Sequence, residues 1–96
     1  MTFAELSSRD AVIRAIALYD ELGQAEFLNR YGFKPARRYY LAHNGKRYDS
    51  KAIVGVAHGF QFSSAGPLNS KEFNGGERTV AKKLKELGFE VEVASP

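Results

Sequence analysis

Tyr39-Tyr40-Leu41-Ala42-His43-Asn44-Gly45-Lys46-Arg47-Tyr48 is the stretch on which the fold turns. Asn44-Gly45 suits the two positive φ angles of a type I′ turn, and residues that favour strands flank it, so the segment predicts a β-hairpin with a two-residue loop. Such a loop sets His43 opposite Lys46 and Leu41 opposite Tyr48. Side chains alternate along a strand, so Tyr39, Leu41 and Tyr48 fall on one face and Arg38, Tyr40, Ala42 and Arg47 on the other. The first set suits a core. The second is too charged for one.

Upstream of the hairpin, Val12, Ile13, Ile16, Tyr19 and Leu22 recur at helical spacing, with Ser7, Ser8 or Asp10 as caps and Gly23 as a stop. They predict an amphipathic helix over residues 9–22. A short helix over residues 24–31 follows, with Phe27 and Leu28 inward and Gly32 closing it. Phe33-Lys34-Pro35-Ala36 reads as a connector, because Pro35 lacks a donor and disfavours helix at Lys34. Downstream, Asp49 is placed to cap a helix over residues 50–58, stopped by Gly59. That helix carries the apolar run 52–57, whose β-branched content also suits a strand.

Residues 60–76 read as a structured loop. Residues 77–87 form a last amphipathic helix with Val80, Leu84 and Leu87 on one side, and residues 89–93 alternate as a strand with Phe89, Val91 and Val93 inward. The whole predicts a single α+β domain over residues 1–96, in which a small antiparallel sheet (β-hairpin plus C-terminal strand) is covered by about four helices.

A chain of 96 residues, 44% hydrophobic and 26% charged, has the size and composition of one ordinary domain. Such a domain has little room for a deep active site and the residues that support it, which favours a binding module over an enzyme. The absence of cysteine excludes disulfides, thiolate nucleophiles and cysteine-based zinc sites. No apolar run approaches the roughly 18 residues that span a bilayer and no signal-peptide pattern opens the chain, so a cytoplasmic protein without a membrane partner is expected. His43 and His58 have no metal or catalytic partner in the pattern. Ser63 and Ser64 lack the turn that presents a nucleophile, and no Gly-Lys-Ser/Thr follows Gly75-Gly76. No catalytic residue, metal or cofactor is expected.

Charge locates the function. Residues 1–29 hold two arginines against five carboxylates, and residues 52–96 hold five cations against five glutamates. Residues 30–51 hold Arg30, Lys34, Arg37, Arg38, Lys46, Arg47 and Lys51 against Asp49 alone. This is the footprint of a polyanion binder. Lys34, Arg37, Arg38, Lys46, Arg47 and Lys51 suit phosphates or guanine edges, while Tyr39, Tyr40 and Tyr48 suit stacking on bases. Ser50 and Lys51 open a helix whose free N–H groups attract an anion. Phe60, Gln61, Phe62, Ser63, Asn74 and Gly75, which flank the long loop, combine aromatic walls, amides and flexible backbone as a base pocket does. The plainer reading is that the phenylalanines pin the loop and the tyrosines pack on the core.

Taken together, Tyr31-Gly32-Phe33, Arg38-Tyr39-Tyr40-Leu41, Gly45-Lys46-Arg47-Tyr48-Asp49-Ser50-Lys51-Ala52-Ile53-Val54-Gly55-Val56-Ala57-His58-Gly59, Gly66-Pro67-Leu68, Phe73-Asn74-Gly75-Gly76-Glu77 and Leu87-Gly88-Phe89 carry a family resemblance. Over about residues 2–93 the chain resembles the N-terminal DNA-recognition domain of McrA-type HNH restriction endonucleases of actinobacteria, which are type IV, modification-dependent enzymes. The resemblance implies a non-catalytic reader of modified double-stranded DNA, with 5-methylcytosine the leading modification and cleavage left to a separate HNH nuclease domain. The other class of function the sequence admits is a protein-interaction or dimerisation head for such an endonuclease.

Overall fold

The computed structural model describes residues 5–73 and 77–94. Helix α1 (Arg9–Leu22) starts where Ser8 accepts a hydrogen bond from the Ala11 amide at 3.0 Å and ends at Gly23, whose positive φ would strain other residues. Helix α2 (Gln24–Tyr31) closes on Gly32 in the left-handed conformation. Strands β1 (Tyr39–His43) and β2 (Lys46–Asp49) form the hairpin, with His43 opposite Lys46 and Leu41 opposite Tyr48. Asn44 and Gly45 both take positive φ, as a type I′ turn requires. Strand β3 (Glu90–Val93) pairs antiparallel with the other side of β1, giving the sheet order β2-β1-β3. The fold is α+β, with a three-stranded antiparallel sheet and four α-helices among the described residues.

Helix α3 (Ser50–Gln61) is the centre of the molecule. Residues 52–57 are buried all round, which settles the run as a core helix rather than a strand. It also runs through Gly59 instead of stopping there. A Cβ at Gly59 would lie 2.6 Å from the Pro67 nitrogen, so this glycine serves close packing and not termination. Gly55 does the same for the Phe33 ring and the Leu68 carbonyl, at 2.5 and 2.8 Å from an ideal Cβ. Residues 62–73 fold back along α3 and are tied to it at several points. The Leu68 amide donates to the Gly55 carbonyl (3.0 Å), His58 Nδ1 lies 3.1 Å from the Gly66 carbonyl oxygen, and Lys51 Nζ donates to the Ser70 carbonyl (2.6 Å).

Three further expectations change. The helix over residues 77–87 divides into a π-helical turn (Glu77–Ala81) and helix α4 (Lys82–Glu86), which still buries Val80 and Leu84. Val93, expected inward, is 53% exposed, at the end of β3 where it pairs with Tyr39, the first residue of β1. Asp49 makes no side-chain cap on α3. It turns inward, 3% exposed, where its Oδ2 accepts from the Tyr19 hydroxyl (2.6 Å) and Gln24 Nε2 (3.0 Å) and its Oδ1 from the Ala36 amide (2.7 Å). One side chain thereby joins α1, α2, the connector and the start of α3.

A buried carboxylate with three donors is costly to remove, because each hydrogen bond to a charged group contributes about 1.5–3 kcal/mol and the donors left behind lose their acceptor. Asp49→Ala is expected to lower stability by about 3 kcal/mol or more in urea unfolding; a loss below about 1 kcal/mol would show the network to be dispensable.

The tyrosines give a second check. Burial, then the hydrogen bond to Asp20, pushes the Tyr48 hydroxyl up to about 12 from the ordinary 10.0, and burial with the Asp49 contact raises Tyr19 further. Above pH 10 the unfolded chain ionises at these positions and the folded chain does not, so their stabilisation is present below pH 10 and falls as pH rises towards 12. Absorbance titration of tyrosinate is expected to show two of the five tyrosines ionising late, with stability declining over the same interval.

Candidate nucleic-acid interface

The cations of residues 30–51 part into two groups. On the hairpin, acids from outside the segment answer them. Lys46 Nζ lies 3.7 Å from Asp20, and Arg47 Nε lies 3.7 Å from Glu92 on β3 while its guanidinium covers the Tyr40 ring at 4.2 Å. The outer sheet face with Arg47, Tyr40 and Ala42 also carries Glu90 and Glu92. Its charge is therefore largely balanced.

The second group is not balanced. Lys34, Arg37, Arg38 and Lys51 line one cavity of about 430 Å³ between the connector and the first turn of α3. Among the described residues, no acidic side chain lines it and none of the four cations has an ion pair. Gly32, Phe33, Pro35, Ala36, Tyr39, Ser50 and Ser70 complete the wall. Because Asp49 is spent inside the fold, the one acid of the basic segment leaves this surface uncompensated. Lys51 lies part-buried, its ammonium 5.1 Å from the Phe73 ring centroid, and burial lowers its pKa from the ordinary lysine value. An anion entering here meets four cations, of which Lys34, Arg37 and Arg38 are exposed and Lys51 is part-buried, and no opposing carboxylate on the described wall.

The other residues singled out from sequence are distributed differently. Tyr48 is 2% exposed, its hydroxyl donating to Asp20 at 2.8 Å and its ring edge-on to Tyr19, so it belongs to the core and presents no surface to a ligand. Ser50 is buried and donates to the Tyr39 carbonyl at 2.8 Å, although it borders the cavity. Tyr40 donates to the Ala36 carbonyl, also at 2.8 Å. Phe60 and Gln61 lie at the far end of α3, roughly 15–17 Å along the helix axis from Ser50, and Phe62 and Ser63 lie just beyond it. Gln61 there accepts from the amides of Ser7 (2.8 Å) and Ser8 (3.0 Å) and donates to Ser7 Oγ, fastening the entry to α1. Phe62 packs on His58 at 4.8 Å, and Phe60 is 39% exposed. These four do not line the cavity. Asn74 and Gly75 lie outside the described residues.

Sequence reading missed Gly32, Phe33, Pro35, Ala36 and Ser70 as parts of the site. The connector residues stood next to the cations and gave a usable signal. Ser70, 19 positions from Lys51, gave none. Among the described residues no cluster of His, Cys, Asp or Glu is placed to hold a metal ion, and no helix is long and apolar enough to cross a membrane.

The model of one protein family, the ScoMcrA-like N-terminal head domain, matches residues 5–93. Among solved structures, that of the type IV phosphorothioation-dependent restriction endonuclease ScoMcrA is similar, with a TM-score of 0.64 and 30% sequence identity. The match covers 93% of this chain and 13% of that one. No curated protein matches the chain.

The two ends of α3 are expected to separate under mutation. Gln61→Ala should lower stability by about 1–2 kcal/mol in urea unfolding while leaving retention on heparin unchanged. Arg37→Ala should do the reverse, eluting at lower salt with stability intact. Equal heparin retention of both variants and the parent would remove the cavity from the polyanion surface.

Proposed function

The chain belongs to the family of ScoMcrA-like N-terminal head domains, and from that premise we propose that it is the DNA-contacting head of a type IV, modification-dependent restriction endonuclease. It binds the DNA backbone in the cytoplasm, and a separate nuclease domain, of HNH type, cuts. The observation that carries the reading is the cavity whose described wall holds Lys34, Arg37, Arg38 and Lys51 and no acid. Cations so placed neutralise phosphates and release counterions, whatever the base sequence. The span of 13% of the matched ScoMcrA chain fits a head whose partners in catalysis lie elsewhere in a longer enzyme.

Modification reading adds a smaller term at this site. ScoMcrA is described as phosphorothioation-dependent, a change in the backbone, whereas the sequence resemblance points to 5-methylcytosine, a change in the base. Burying one methyl contributes about 0.8 kcal/mol, or roughly fourfold in affinity. A 5-methylcytosine preference seated in this cavity is thus a modest increment on backbone binding, and the strong discrimination of a whole enzyme needs polar contacts beyond it.

A titration of the chain against matched duplexes, plain, methylated and phosphorothioated, at several salt concentrations tests this. Affinity should fall steeply with salt, each phosphate contact adding about 0.9 to the log–log slope, and Lys51→Ala should reduce that slope by about one. Methylated and plain duplex should differ by no more than about fourfold. Salt-independent binding, or none at low salt, would overturn the assignment and favour a protein-interaction head.

A further inference from the structure

We infer that the cavity takes one nucleotide that has left the base stack, with Tyr39 as the residue that holds its base; this rests on the DNA-binding reading above and names the form of DNA the site prefers. The three hairpin tyrosines are not equivalent. Tyr48 is buried, with its hydroxyl on Asp20. Tyr40 gives its hydroxyl to the Ala36 carbonyl and does not line the cavity. Tyr39 alone of the three borders the cavity, and among the described residues its hydroxyl has no hydrogen-bond partner.

The room available exceeds what a phosphate needs. A volume of about 430 Å³ falls in the range of pockets that hold whole small ligands, roughly 300–1,000 Å³. Its wall also changes character: cations are contributed by Lys34, Arg37, Arg38 and Lys51, while Phe33, Pro35 and Ala36 are apolar. A nucleotide has the same division between a charged phosphate and a flat, weakly polar base. The Arg38 guanidinium lies over the Tyr39 ring, 5.5 Å from its centre, a cation–aromatic pair of the kind that single-strand binding proteins combine with stacked bases.

In a regular duplex the faces of the bases are covered by their neighbours, leaving Tyr39 nothing to stack on. A single strand, or a duplex with one unpaired nucleotide, offers a free face without the cost of extracting it. The cavity cations then act on every form of DNA, and Tyr39 acts only on the unstacked one.

The experiment compares, by fluorescence anisotropy at one salt concentration, a perfect duplex, the same duplex with a single bulged nucleotide, and a single strand of equal length. The bulged duplex and the single strand should bind about tenfold more tightly than the perfect duplex. Tyr39→Leu should lower affinity for the bulged duplex and the single strand about tenfold more than for the perfect duplex, abolishing the preference, while a circular-dichroism spectrum and urea transition like the parent's report that the variant is folded. Tyr39→Phe should keep the preference. Equal affinity for all three DNAs, or a Tyr39→Leu loss that is the same on each, would overturn the inference while leaving backbone binding in place. Failure of every DNA to bind at low salt would instead remove the DNA-binding reading and this inference with it.

Discussion

The buried carboxylate of Asp49 is the constraint on which the candidate site depends. It receives hydrogen bonds from Tyr19 on α1, Gln24 on α2 and the Ala36 amide in the connector, and its own backbone leads directly into α3. With it goes the tie from the start of α3 to the Ala36 amide of the connector, which carries Lys34, Arg37 and Arg38; the Ser50 contact with the Tyr39 carbonyl is left to hold that helix turn at the end of the connector. The cavity is the space between those two segments. A group that reads in sequence as a local helix cap is in the structure a long-range tie, and burying a polar group at such a junction is sustained only because every donor around it is aimed at it.

The same inward turn shapes the electrostatics. Seven cations against one acid describe residues 30–51 as a string, but the fold redistributes them. Asp20 and Glu92, distant in sequence, come up against Lys46 and Arg47, and Asp49 withdraws from the surface. What is left unopposed is a compact group at the mouth of α3. Exposed ion pairs such as those on the hairpin contribute little to stability, yet they lower the local potential and so decide which part of a basic segment attracts a polyanion.

The parts of the fold governed by local chemistry were legible in the sequence. Asn44-Gly45 dictated the turn and through it the register, and Gly23 and Gly32 marked the ends of α1 and α2. Long-range packing was not. Gly59 has the composition of a helix stop and the position of a contact with Pro67, a distinction that only the fold makes. The basic segment named the cavity's cations, while period-two alternation placed Arg47 and Tyr40 on an open face without showing that β3 would bring Glu92 beside them. Gln61 and its neighbours failed as site residues for a geometric reason: α3 carries them away from the cavity by its own length.

On the proposed function, DNA engages the cavity between the connector and α3 rather than the hairpin face or the far end of that helix. Backbone amide NMR during titration with a short DNA duplex tests it most directly. The largest, saturating shifts are expected in residues 32–39, at Ser50 and Lys51 and near Ser70, all diminishing together as salt is added. Shifts concentrated instead on Arg47, Glu90 and Glu92, or on residues 60–63, with the cavity unmoved, would contradict it.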